Sequence, residues 1–268
     1  MKYNTVLTIA GSDSGGGAGI QADIKAISAI GCFATSAITA ITAQNTLGVD
    51  AVHPVPLDIL AAQIDAVLCD IGADAIKIGM LHSSEVVSLV ADKIEQYGIK
   101  NVVLDPVMVS TSGHRLIEVE AIEELKQRLI PLARVITPNI PEAEILSGCT
   151  ITDQSQFPQV ATLLSRDNTT SVLLKAGHLI GNTLTDYFYN AEDGSITPLP
   201  SKRVDTRNTH GTGCTLSSAL AAALARGENL TEAALSAKRY IEQAIIAGAK
   251  YDIGHGHGPV NHFFALNS

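Results

Sequence analysis

The chain has 268 residues and a formal net charge of −9, with 46% apolar and 17% charged residues. That length and balance fit a large α/β domain with a sizeable interior. The acidic sign and the absence of a Lys/Arg cluster exclude nucleic acid as the main partner, although a local cradle can still hold a small phosphorylated ligand.

The first residues run straight into a strand-like segment, without the layout of a signal peptide, and no apolar stretch is long enough to span a bilayer. The four cysteines, Cys32, Cys69, Cys149 and Cys214, show no CxxC spacing and hence no zinc signature. The expectation is a cytoplasmic protein with reduced thiols and no membrane partner.

The first strand is expected at 6–10, apolar throughout. It leads into Gly11-Ser12-Asp13-Ser14-Gly15-Gly16-Gly17-Ala18-Gly19. This is neither a Walker loop nor GxGxxG, yet so many glycines imply close approach of a ligand or of backbone. A strand over 36–42 then ends at Gln44-Asn45, whose amides can both donate and accept at the edge of a heterocycle, or can simply cap a turn. Residues 57–71 carry an apolar face at helical spacing. The strand at 75–78 ends in Lys77-Ile78-Gly79-Met80-Leu81; Met80 reads as core or as packing for a flat ring, and Lys77 as a snorkelling side chain.

A helix at 83–97 precedes a strand at 102–104 that ends in Asp105-Pro106. A carboxylate there lies where α/β sheets bind ligands and suits hydrated Mg²⁺, or it caps a turn. After a helix at 118–129 and a strand at 135–136 comes Thr137-Pro138-Asn139-Ile140-Pro141-Glu142. Asn139 and Glu142 fit a capping box, Mg²⁺ coordination, or both. The strand at 172–174 ends in Lys175-Ala176-Gly177-His178, where Lys175 can balance nucleotide phosphate or form a Schiff base. Residues 183–204 read as an antiparallel edge hairpin.

Helices follow at 215–226 and 231–249. The turn before the first, Asn208-Thr209-His210-Gly211-Thr212-Gly213-Cys214-Thr215, opens a helix, so free N–H groups and the helix dipole favour an anion there. A thiol in that field is expected to ionise near neutral pH. The tail motif His255-Gly256-His257-Gly258-Pro259 reads as a loop near the site, and His178, His210 and His262 as structural or hydrogen-bonding groups. Alternating strands and helices predict a mostly parallel sheet covered on both faces within one domain, 1–268.

These motifs, in this order, resemble the ribokinase superfamily and, within it, bacterial hydroxymethylpyrimidine/phosphomethylpyrimidine kinases; the resemblance runs from Tyr3 to Phe263 and extends to Gly258-Pro259-Val260-Asn261-His262-Phe263. It implies a ribokinase-like fold and ATP-dependent phosphorylation of a pyrimidine in thiamine biosynthesis, in two successive steps. It further implies a pyrimidine shell of Gly11, Asp23, Gln44, Met80 and Val107, and an anion hole of Gly211, Thr212, Gly213 and Cys214. Asp105, Asn139 and Glu142 fall at the phosphate and Mg²⁺ positions, with Asp105 and Glu142 holding the ion through water, and Lys175 lies on the nucleotide side. Most of the superfamily carries Asp where this chain has Cys214, a variant of the pyrimidine kinases. A Cys214 base would serve only the first transfer, because a phosphate acceptor is already ionised. A pyridoxal kinase is the rival within the superfamily, and a non-catalytic nucleotide or precursor sensor the rival outside it; the missing GxGxxG weakens a nicotinamide-dependent reductase. A homodimer is expected.

Overall fold

The computed structural model describes residues 3–109, 116–177 and 183–266; His178 lies outside them. Nine strands form one sheet in the order β3-β2-β1-β4-β5-β6-β7-β8-β9. They are β1 (Thr5–Asp13), β2 (Phe33–Gln44), β3 (Val49–Pro54), β4 (Ala75–Ile78), β5 (Val102–Leu104), β6 (Val135–Ile136), β7 (Ser171–Leu174), β8 (Thr183–Tyr189) and β9 (Ile196–Lys202). From β2 to β7 all neighbours are parallel. The expected hairpin is present: β8 and β9 close one edge antiparallel.

The other edge differs from the sequence reading, because β3 pairs antiparallel with β2. Five of its six residues are exposed, so it carries none of the apolar alternation by which strands are read. Helix α6 (Phe157–Leu164) was also not anticipated. It is only eight residues long and follows a 3-10 turn at Gln154–Gln156, too short for a clear period. The helix expected at 118–129 is α-helical over α4 (Val119–Glu124) and widens into a π turn at Leu125–Leu129.

The remaining helices are α1 (Gly19–Ala29), α2 (Leu57–Asp70), α3 (Ser84–Tyr97), α5 (Ile140–Ser147), α7 (Thr212–Ala225) and α8 (Leu230–Gly248). One face of the sheet packs Leu7, Ile9, Ile76 and Ile136 against α2, α3, α4, α5 and α6. On the other face, Val6, Val103 and Leu173 pack against α1, α7 and α8. Every residue of α7 from Thr215 to Ala225 is buried. Its alanines let it lie close to the sheet and to α8 at once, as a helix apolar on all sides must. It begins three residues before the expected 215, so Thr212, Gly213 and Cys214 form its first turn.

Chain order reverses between β2-β1 and β1-β4, and that switch point opens a crevice at the carboxyl ends of the strands. Phe157 is fully buried and meets Tyr187 edge-on, with centroids 5.9 Å apart. Phe157→Ala should therefore cost about 3–5 kcal/mol in urea unfolding, whereas Leu163→Ala, on the exposed side of the same helix, should change stability by less than about 0.5 kcal/mol.

Candidate active site

The crevice holds a cavity of about 1170 Å³, lined by residues from the ends of β1, β2, β4, β5, β6 and β7 and from the first turn of α7. That is room for two small ligands rather than one. Gly11, Gln44, Met80, Val107, Asp105, Asn139, Glu142, Lys175 and the turn Gly211 to Cys214 all lie on its wall.

Asp23 is a correction. It is fully buried and off the cavity wall, where its carboxylate binds Lys77 Nζ through both oxygens, each at 2.9 Å. It also accepts hydrogen bonds from the Thr8 hydroxyl (2.6 Å) and the Ser218 hydroxyl (2.7 Å). Lys77 in turn does not snorkel, since it has no exposed surface. Burial pulls its ammonium pKa down, but Asp23, Cys214 and Asp105 outweigh this and hold it above the usual range. A Cβ on Gly79 would lie 2.9 Å from Nζ, so glycine is needed beside this lysine.

A second, partly buried cation serves the next strands. Lys175 Nζ donates to Asp105 Oδ1 (2.9 Å), which also accepts from the Thr137 hydroxyl (2.9 Å). Burial opposes the Asp105 charge, yet Lys175 and Lys77 keep its carboxyl below the usual range. Asn139 and Glu142 form a reciprocal capping box: Glu142 N–H donates to Asn139 Oδ1 (2.9 Å) and Asn139 N–H to Glu142 Oε2 (2.8 Å). Burial, helped by Asp105, pushes Glu142 up to about 7 against the pull of Lys175.

The anion turn closes over this ladder. Gly211 has φ +79°, and any side chain there would overlap the Gly17 carbonyl. A Cβ on Gly213 would sit 3.3 Å from Lys175 Nζ and 3.4 Å from Asp105 Oδ2. The first helical bond runs from Thr215 N–H to Gly211 O (2.9 Å), which leaves the N–H groups of Gly213 and Cys214 outside the helical ladder. Cys214 differs from expectation. Burial, with Asp23 and Asp105 nearby, pushes its thiol up to about 11 although Lys77 opposes this. The helix-start field is outweighed by desolvation, and the site holds a thiol at neutral pH.

Asp13 and His210 were not singled out as site residues. Asp13 accepts from the N–H groups of Gly15, Gly17 and Ala18 at 2.8–3.0 Å and lies 2.8 Å from His210 Nε2. The signal was an Asp immediately before a run of glycines, the pattern of a side chain that folds a loop around itself. The tail loop completes the shell. His257 N–H donates to Thr46 O and His210 N–H to Gly258 O, while Thr215 Oγ1 bonds His262 Nε2 (3.0 Å). Burial, with Lys25, lowers His262 to about 4, so its ring is neutral.

Among the described residues no three His, Cys, Asp or Glu side chains gather as a metal cage. Asp105 and Glu142 supply two hard oxygen donors, the set for an ion that keeps most of its water. A Glu142 that titrates near 7 also fits a site built for a cation.

Removing one partner of the Lys77–Asp23 pair, as in Lys77→Met, should cost about 3–5 kcal/mol in chemical unfolding, and Asp23→Leu in the same background should restore part of it. The raised Glu142 pKa means the folded state binds a proton more tightly than the unfolded chain. Its contribution to stability is present below about 4.5 and lost as pH rises through about 7. Unfolding curves across that window should flatten in Glu142→Gln.

The family model described as phosphomethylpyrimidine kinase matches residues 13–261. A hydroxymethylpyrimidine/phosphomethylpyrimidine kinase of Rhizobium meliloti is 49% identical over 96% of both chains. The solved phosphomethylpyrimidine kinase of Clostridium difficile superposes with a TM-score of 0.80 at 44% identity, covering 91% of this chain and 100% of that one. Bacillus subtilis pyridoxal kinase, solved as an ADP complex, superposes with a TM-score of 0.91 at 35% identity over the whole of both chains. With a ribokinase-like fold and a match over nearly its whole length, the chain belongs to the phosphomethylpyrimidine kinase family.

Proposed function

We propose that this chain, acting as one domain, transfers the γ-phosphoryl group of ATP to the hydroxymethyl oxygen of 4-amino-5-hydroxymethyl-2-methylpyrimidine, and then phosphorylates the monophosphate to the diphosphate, in thiamine biosynthesis. One observation carries the reading. A single cavity runs from Gln44 and Met80, past the Gly211 to Cys214 turn, to Lys175 and on to Lys238 and Ile245, so an acceptor and a nucleotide can meet at the turn.

Each wall has a part. Gln44 offers an amide to the ring edge, while Met80, whose methyl lies against Gly11, and Val107 cover its faces. The N–H groups of Gly213 and Cys214 point at the group in flight, where charge spreads over the transferred oxygens. Lys175 balances nucleotide phosphate. Asp105 and Glu142 would hold Mg²⁺ through water, and the ion would supply neutralisation of phosphate charge. Asp23 serves indirectly, by fixing Lys77.

Cys214 enters as a thiol. A loose transition state needs no early deprotonation of the acceptor, so we assign it to positioning the acceptor oxygen rather than to base catalysis. The organism-level expectations stay with this reading: a cytoplasmic enzyme acting as a homodimer, with exposed Ile41, Leu47 and Val52 on the β2–β3 edge supporting a partner contact there.

The similarity to pyridoxal kinase supports a second activity on pyridoxal, with the aminopyrimidine as the principal acceptor. Turnover of the two acceptors side by side tests this: a higher kcat/KM for pyridoxal would reverse the assignment. Gly211→Ala should lower kcat by about 10²–10³-fold in a folded protein, and unchanged turnover would remove the anion turn from the mechanism. Cys214→Ala should slow both transfers by a similar factor. A loss confined to the first would restore the base role.

A further inference from the structure

Gln44 Nε2 lies 3.4 Å from His210 Nε2 and Gln44 Oε1 lies 3.2 Å from Thr42 Oγ1, the reverse of the orientation argued below. A half-turn about its last torsion exchanges oxygen and nitrogen, so the neighbours decide which is which. Both neighbours are already committed. Asp13 Oδ2 accepts from the N–H groups of Gly17 and Ala18 and lies 2.8 Å from His210 Nε2. Burial works against its charge, but His210 and the backbone N–H groups outweigh burial and keep the carboxyl below the usual range. A carboxylate at that distance requires a proton on Nε2, in the neutral ring or the cation alike. The one Nε2 proton points at Asp13, so His210 offers Gln44 no lone pair, and only a carbonyl oxygen can lie against that N–H edge. On the other side, the single proton of the Thr42 hydroxyl goes to the Ser12 carbonyl (2.7 Å), so Thr42 shows Gln44 only lone pairs.

We propose that Asp13, His210 and Thr42 are specificity-determining residues that lock the Gln44 carbonyl toward His210 and its NH₂ toward Thr42. The lone pair and the N–H left over then face the cavity as an acceptor beside a donor. That edge complements a ring that presents an exocyclic N–H next to a bare ring nitrogen, which is the 4-aminopyrimidine pattern. A 4-oxo ring presents carbonyl and N–H in the reverse order. To bind it, Gln44 must turn over, setting N–H against the His210 N–H and oxygen against the Thr42 oxygen. Two clashes of this kind reject the wrong ring far better than shape does, since the two rings have nearly the same outline. The lock reaches Gln44 from β1 through Asp13 and from the anion turn through His210, so acceptor choice is tied to the loops that manage phosphate.

The inference rests on the reading that the ring's amino edge meets Gln44, and the test separates the two. The kcat/KM ratio for the 4-amino acceptor over its 4-oxo analogue should be roughly 100-fold in the unmodified protein. His210→Leu should reduce it below about tenfold, whatever happens to kcat, and His210→Gln, which restores an N–H near the same place, should recover most of it. Thr42→Val, remote from the anion turn, provides a second variant and should also lower the ratio. In addition, ¹⁵N NMR of the ligand-free protein should show His210 Nε2 protonated at pH 8. Full discrimination in folded His210→Leu and Thr42→Val, with its loss in Gln44→Leu, would overturn the lock and leave the Gln44 reading intact. Full discrimination in Gln44→Leu would overturn the Gln44 reading itself. A bare Nε2 would overturn the lock on its own.

Discussion

Four paired charges at the carboxyl edge of the sheet set the terms for everything above them. Lys77 with Asp23, and Lys175 with Asp105, are carried by β4, α1, β7 and β5. None of these side chains can leave its partner without a large desolvation cost. Their hydroxyl neighbours Thr8, Ser218 and Thr137 fill the remaining valences. Ser218 lies one turn along α7 from Cys214, so the Asp23 carboxylate also fixes how the anion turn meets the sheet.

On that floor the loops do different work. Glycines at 17, 211 and 213 let the backbone approach the His210 ring, the Gly17 carbonyl and Lys175 with its Asp105 partner. The turn can thus offer N–H groups to phosphate while lysine charge lies directly beneath. Field and geometry come from separate parts of the chain, and the mechanism we propose needs both, because phosphoryl transfer depends on placement and electrostatics more than on a reactive side chain. The thiol at the centre fits that division, since burial, with Asp23 and Asp105 and against Lys77, keeps it protonated.

Much of this was legible in the sequence because strand ends carry their own marks. Apolar runs closed by Gln44, Asp105, Asn139 or Lys175 placed those residues on one rim, and the Asn139–Glu142 spacing announced the cap that the structure contains. What stayed hidden depended on contacts between distant segments. Nothing local to Asp23 says that Lys77, 54 residues later, will take both of its oxygens. A helix start argues for an ionised Cys214, and only the folded surroundings show that burial outweighs that field. Strand β3 and helix α6 were missed for a simpler reason, since one is nearly all exposed and the other is only two turns long.

The tail loop has a consequence for biosynthesis. His257 pins the backbone at Thr46, Gly258 receives the His210 amide, and His262 bonds Thr215. The rim therefore gains its final braces from residues translated more than forty positions after the anion turn itself. A nascent chain paused before residue 262 can already hold its sheet and most helices, yet the turn would lack its outer support. The turn is therefore braced only once that last segment has folded back onto it.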